Sequence, residues 1–186
     1  MANLFISSEG EIVSVLDLAG TIASIGASLL SSARDGLKLS EKTKKKDGPP
    51  TGDAKGAAEQ FLAANLRLLR TTETIYEIGT PPNVLGALWS WPYVISAVKR
   101  LPELGTEAVV ALGVLLMMSE SGSLDRAAVE IAIAVGGALE KYPHVSKRQR
   151  TSQQDQDFRE GIQNALLACG RFVAVVQTGK LPPEQT

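Results

Sequence analysis

The chain has 186 residues and a mass of 19.7 kDa, which is the size of one domain. Its 19 basic and 20 acidic side chains nearly cancel, which excludes a nucleic-acid binder whose whole surface is positive. One histidine and one cysteine exclude an internal disulfide and a conventional zinc site built from this chain alone. No metal or other cofactor is predicted.

The N-terminal residues and the lone cysteine, Cys169, predict an intracellular, cytoplasmic protein. The first basic residue is Arg34, and acidic residues precede it, which is not typical of a secretory signal or a mitochondrial presequence. The lysine run at 44–46 leaves a nuclear location open. Prolines interrupt the longest uncharged run, over 78–98, so no ordinary membrane-spanning helix is predicted.

The first predicted helix begins with Ser8 as its N-cap and ends near Gly36. Apolar residues recur at helical spacing from Ile12 to Leu30. Small side chains on this helix lie four positions apart, which predicts a face that packs closely on another helix or on a second molecule. This small-residue face consists of Ala19, Gly20, Ala23, Ser24, Ala27 and Ser28.

A flexible loop is predicted over residues 37–56, because lysine, proline and glycine replace the apolar pattern there. The first basic patch lies in this loop and comprises Lys42, Lys44, Lys45 and Lys46. A second helix is predicted from Ala54 to Glu77, with its apolar residues on one side.

Three shorter helices are predicted next, because prolines separate them. They span Val84–Trp89, Tyr93–Leu101 and Glu107–Ser119. Thr106 is the predicted N-cap of the third, which follows Pro102. That helix is apolar on nearly every side, so we expect it to be the most buried helix of the protein.

Two further helices complete the chain. Ser123 is the predicted cap of the helix Leu124–Lys141, and Ser152 caps a last helix that ends at Gly179. The second basic patch lies between them and comprises Lys147, Arg148 and Arg150. On the last helix, apolar residues three and four positions apart predict a core-facing stripe: Phe158, Ile162, Leu166, Cys169, Val173 and Val176.

Together these elements predict an all-α fold. We expect residues 1–186 to form one compact bundle of six or seven helices, with the flexible basic loop after the first helix and a tail over 180–186. No strand is predicted, because no segment alternates apolar and polar residues over a sufficient length.

No residue pattern predicts catalysis. His144 follows a proline in a basic loop, and no serine or cysteine near it has the context of an activated nucleophile. We therefore expect a non-enzymatic protein that acts by self-assembly, as a homo-oligomer or with another protein partner. Its basic patches are expected to contact RNA phosphates, as in a viral structural or nucleocapsid-type protein.

Two alternatives remain open. One is a bundle that associates with a membrane surface through its amphipathic N-terminal helix. The other is an enzyme whose site is built from carboxylates, for which the sequence offers the pairs Glu73 with Glu77 and Asp155 with Asp157.

Overall fold

The computed structural model describes residues 4–6, 12–42, 50, 52–78, 84–143 and 150–181, with side chains for 18–38, 42, 50, 52–78, 93–143 and 150–181. Within these residues five α-helices form an all-α bundle, as predicted. They are α1 (Val15–Lys42), α2 (Gly52–Ile78), α3 (Val84–Met118), α4 (Gly122–Glu140) and α5 (Ser152–Thr178).

A short antiparallel sheet precedes the bundle, although the sequence predicted no strand, and its second strand lies where helix was predicted. Strand β1 spans Leu4–Ile6 and pairs with β2, Ile12–Ser14, with Phe5 opposite Val13. The prediction that the first helix already includes Ile12 is wrong. The predicted cap, Ser8, lies outside the described residues. The β-branched residues Ile12 and Val13 fit a strand as well as a helix, which explains the error.

The helices enclose one core. Helix α1 packs on α4 and on α3, α2 packs on α3, and α5 packs mainly on α4 with a smaller contact to α2. All five helices bury large apolar side chains in this core, including Leu29, Phe61, Leu112, Ile131 and Phe172. Burial of apolar surface on this scale is the main favourable term in folding.

Two glycines allow the close contact between α1 and α4. A Cβ atom placed on Gly136 would lie 2.9 Å from the carbonyl oxygen of Gly26 and 2.8 Å from Cγ of Leu30. A Cβ atom placed on Gly26 would lie 2.8 Å from the carbonyl oxygen of Gly136. Both backbones therefore meet at a distance that no larger residue permits.

Helix α1 extends past its predicted end into the predicted loop. Gly36 is buried, and a Cβ atom there would lie 2.7 Å from Cδ1 of Leu116. The next residue, Leu37, packs against the core. Tertiary packing thus sustains the helix through a glycine that the sequence marked as a stop. Of the rest of the predicted loop, residues 43–49 and 51 lie outside the described residues, and residues 52–56 form the first turn of α2 rather than loop.

Helix α3 replaces three predicted helices, so the prediction of six or seven helices is wrong in this region. Pro102 lies inside the helix with its side chain exposed, where its ring avoids the core. Thr106 does not cap a helix; its Oγ1 donates to the carbonyl oxygen of Pro102 at 2.9 Å. That bond to a residue four positions earlier is typical of threonine within a helix.

The last two helices begin slightly earlier than predicted. Ser121, not Ser123, caps α4, and its Oγ accepts from the N–H of Leu124 at 3.4 Å. Thr151, not Ser152, caps α5, because only Thr151 is in register for a capping box with Gln154. The predicted end of α5 is confirmed.

At that end Gly179 adopts a left-handed φ of 71°. Glycine adopts this conformation at little cost, which is why it commonly ends helices.

Candidate interaction surface

Helix α3 exposes an uncharged apolar strip, although the sequence predicted this region to be the most buried. Met117 is 80% exposed and Val110 is 57% exposed, while Val114 is half-buried. These residues and Gly113 occupy positions i, i+3, i+4 and i+7, so they share one face. We call Val110, Gly113, Val114 and Met117 the α3 stripe.

The α3 stripe is exposed because the helix is apolar on more sides than the core can cover. Its opposite face buries Leu101, Leu104, Ala108, Leu112 and Leu115. Along the chain, the charged residues nearest to the stripe are Glu107 before it and Glu120 after it. A contiguous apolar patch with a polar rim is typical of an interaction site rather than of scattered surface residues.

A second apolar strip lies on α5. Leu166 is 44% exposed and Leu167 is 67% exposed, and both Gly170 and Val173 are also exposed. We call these four residues the α5 stripe. The predicted core position of Leu166 and Val173 is therefore wrong, whereas Phe158, Ile162 and Cys169 are buried as predicted.

The core-facing side of α5 is rotated from the predicted stripe. It uses Gly161, Ala165, Phe172 and Val175 in addition to the three buried residues that were predicted. Small residues such as glycine and alanine carry little periodic signal, so the sequence pattern placed the centre of the face too close to Leu166.

The small-residue face of α1 divides between core and surface. Ala19 is buried and Ala23 is half-buried, whereas Ala27 is exposed. The other three members, Gly20, Ser24 and Ser28, line an open groove of about 750 Å³ between α1 and α3. From α3 the groove is lined by Pro102, Gly105, Thr106 and Val109.

The glycine that permits the closest helix contact, Gly26, was missed by this prediction. The available signal was an isolated glycine within a helical pattern, which commonly marks close packing.

The basic patches are only partly within the described residues. Lys42 is exposed in the last turn of α1. Arg150 is half-buried, and its guanidinium carbon lies 4.0 Å from the ring centroid of Tyr76. The rest, Lys44, Lys45, Lys46, Lys147 and Arg148, lie outside the described residues. Arg150 thus has a packing role, a cation–π contact, that the sequence did not predict.

Arg150 covers an aromatic cluster formed by Tyr76, Tyr142 and Phe158. The ring of Phe158 lies 4.3 Å from that of Tyr76 and 5.5 Å from that of Tyr142, centroid to centroid. Burial raises the pKa of Tyr142 to about 12. The cluster joins the ends of α2 and α4 to the start of α5.

The hydroxyl of Tyr76 donates to Asp155, and this hydrogen bond holds the pKa of the Asp155 carboxyl below its usual value. Arg159 connects two acids, with Nε 3.3 Å from Asp155 Oδ2 and Nη2 2.8 Å from Glu77 Oε1. Glu77 therefore forms an ion pair with Arg159 between α2 and α5, whereas Asp155 pairs with Arg159 within α5.

Tyr142→Phe should reduce the loss of stability at alkaline pH. A tyrosine in the unfolded chain ionises near pH 10, whereas folded Tyr142 keeps its proton to about pH 12. The contribution of protonated Tyr142 to the free energy of unfolding is thus fully present below pH 10 and is lost as pH rises towards 12. Between these values the slope of unfolding free energy against pH should be shallower by up to about 1.4 kcal/mol per pH unit.

Urea unfolding at a series of pH values measures this slope. Tyr93→Phe is the matched control, because Tyr93 is 75% exposed. Equal slopes for the Tyr142 variant and the wild-type chain would contradict the assignment.

Of the two carboxylate pairs that the sequence offered for catalysis, one member of each, Glu77 and Asp155, binds Arg159. Glu73 is exposed on α2, and Asp157 accepts from Nε2 of Gln153 at 2.6 Å. Among the described residues, no group of three or more His, Cys, Asp or Glu side chains is placed to hold a metal ion. Burial raises the pKa of the Cys169 thiol to about 11, which disfavours the nucleophilic thiolate.

Because α3 is continuous, it includes a segment whose length and apolar composition would allow it to cross a membrane. It spans Tyr93–Met118, and 33% of its most apolar 18-residue window is buried. The sequence did not predict such a segment because Pro102 was read as a break. Core helices of soluble proteins pass the same test when most of their surface is buried.

Comparisons with known proteins supply no relative. No protein-family model matches the chain, and no curated protein or solved structure matches it either.

Proposed function

We propose that this protein is a non-enzymatic helical bundle that acts by assembling with copies of itself through the α3 stripe. The observation that supports this proposal is the exposure of Met117 and Val110 on a continuous, uncharged helix face. Covering this face with a second apolar surface removes it from water, which contributes roughly 25 cal/mol for each Å² buried.

Size-exclusion chromatography with light scattering tests the proposal. The wild-type chain should have a mass above 19.7 kDa, and Val110→Glu/Met117→Glu should return it to the monomer mass. Two glutamates on this face would oppose association because each would lose its hydration on contact. Ile133→Glu is the matched control, because Ile133 is an exposed apolar residue on α4 outside the α3 stripe.

The predicted polyanion contact remains part of the proposal. Lys147→Ala/Arg148→Ala should weaken binding to single-stranded RNA, most strongly at low salt. The slope of log affinity against log salt should fall by about 0.7 for each phosphate that the variant no longer neutralises. Arg150→Ala should instead lower stability, because its guanidinium packs on Tyr76. A salt titration by fluorescence anisotropy measures both slope and affinity.

Lys55→Ala is the control for the RNA experiment, since Lys55 is an exposed lysine on α2 that belongs to neither basic patch. RNA affinity that is independent of salt in every variant would refute the phosphate contact and leave self-assembly as the proposed function.

A second candidate function is membrane association, which the length and exposure of Tyr93–Met118 favour. The described part of α1 favours it less, since its exposed residues include Gly20, Ser24 and Ser28 rather than large apolar side chains. Co-sedimentation with neutral and anionic liposomes distinguishes the candidates. Retention of the wild-type protein in the supernatant would reject membrane association.

A further inference from the structure

We propose that Met117 is an oxidation site: a peroxide converts its thioether to the sulfoxide, which makes the α3 stripe polar and prevents assembly. Among the described residues Met117 is the most exposed large apolar side chain, at 80%. It lies in the last turn of α3, directly after Leu115 and Leu116, which pack inward. The effect on assembly rests on the proposed function, whereas the oxidation itself does not.

Three sulfur-bearing side chains lie in the described residues, and they differ in access. Met118 is 48% exposed, whereas Cys169 is only 4% exposed. Oxidation of a sulfur side chain depends on its exposure, and oxidation of a thiol depends also on its thiolate form. Because burial raises the pKa of Cys169 to about 11, its thiol stays protonated at neutral pH. Access and chemistry therefore direct a peroxide to Met117 before the other two.

The reaction adds one oxygen atom to the sulfur of Met117. A sulfur lone pair attacks one oxygen of hydrogen peroxide, the O–O bond breaks, and water leaves. The sulfur is thereby oxidised by two electrons and the peroxide is reduced. The product is a polar sulfoxide. A methionine sulfoxide reductase reverses the change with a dithiol, which is oxidised to a disulfide while the sulfoxide oxygen leaves as water.

An oxygen atom on Met117 changes the surface of the bundle and not its core. Because this side chain is mostly exposed, the sulfoxide requires no movement of the inward-facing leucines. Contact with a second apolar surface would instead bury the sulfoxide, and a buried polar group without a hydrogen-bond partner is costly. Oxidation is therefore expected to weaken assembly while the helices stay folded.

A leucine at position 117 separates the role of the sulfur from that of the apolar surface. Met117→Leu keeps an apolar side chain of similar volume and helix propensity, but it has no atom that a peroxide oxidises. This variant should therefore assemble as the wild-type chain does. Met118→Leu is the matched control, because it removes the neighbouring sulfur and leaves Met117 in place.

Hydrogen peroxide treatment at low protein concentration, followed by peptide mass spectrometry, tests the order of oxidation. Met117 should be oxidised roughly 1.7-fold faster than Met118, in proportion to exposed fractions of 80% and 48%, and Cys169 should be oxidised last.

Light scattering tests the effect on assembly. The oxidised wild-type chain and oxidised Met118→Leu should return to the monomer mass of 19.7 kDa, whereas Met117→Leu should keep its assembled mass in peroxide. A methionine sulfoxide reductase with dithiothreitol should restore the assembled mass of the wild-type chain. Far-ultraviolet circular dichroism checks that the oxidised chain keeps its helices.

Three results would overturn the inference and leave self-assembly of the untreated chain intact. The first is oxidation of Met118 or Cys169 before Met117. The second is an assembled mass that survives full oxidation of Met117, and the third is an equal loss of assembly by Met117→Leu in peroxide. An untreated chain that is monomeric would instead refute the proposed function and the effect on assembly. The order of oxidation would then still decide whether Met117 is the oxidation site.

Discussion

Phe172→Ala is expected to lower the free energy of unfolding by about 3–5 kcal/mol. Phe172 is fully buried on α5, and its ring meets that of Phe61 on α2 edge to face, with centroids 5.7 Å apart. The contact between α2 and α5 is small, and this aromatic pair joins the two helices together with the contacts that Tyr76 makes to Phe158 and Asp155. Truncation leaves a cavity and removes the edge-to-face contact as well.

Urea unfolding at low protein concentration measures this loss, with Leu166→Ala on the same helix as the control. Leu166 is on the surface, so its truncation should change the unfolding free energy by less than about 1 kcal/mol. A loss for Leu166→Ala as large as that for Phe172→Ala would contradict the structure, because it would place Leu166 in the core, as the sequence predicted.

Gly136→Ala is expected to cost about 1–3 kcal/mol, although alanine normally stabilises a helix. The new methyl group would lie 2.9 Å from the carbonyl oxygen of Gly26, a backbone atom that cannot rotate away. Helices α1 and α4 would have to separate, and these two helices share the most extensive contact in the bundle.

The neighbouring residue provides the control for this substitution. A Cβ atom on Gly137 would meet nothing within 4 Å, so Gly137→Ala should be neutral or should stabilise by up to about 1 kcal/mol. Thermal unfolding of the two variants side by side measures the difference. A Gly136→Ala variant as stable as Gly137→Ala would contradict the close crossing of α1 and α4.

The sequence predicted the helical class and the two ends of α5 to within a residue. Local signals suffice there, since Gly179 must adopt a positive φ and the Thr151 capping box depends on near neighbours. The prediction was wrong where tertiary contacts override the local tendency of proline and glycine to end a helix. Pro102 lies within α3, and Gly36 lies within α1 because Leu116 packs over it.

The candidate surface was harder to predict than the fold. A helix that is apolar on nearly every side does not indicate which face the core covers. The segment Glu107–Ser119 was therefore expected to be buried, whereas one of its faces is exposed. On α5 the buried face includes Gly161 and Ala165, small residues that contribute little to a pattern of apolar periodicity, whereas Leu166 is exposed at the surface. On α1 the contact glycine is Gly26, which the four-residue spacing of small residues does not include.

We propose that the exposed face of α3 drives self-assembly. A concentration series by light scattering on the wild-type chain and on Val110→Glu/Met117→Glu tests it most directly. We predict a wild-type mass that rises above 19.7 kDa with concentration and a variant that stays at the mass of one chain. A single 19.7 kDa species for both proteins across the series, or identical assembly by both, would contradict the claim.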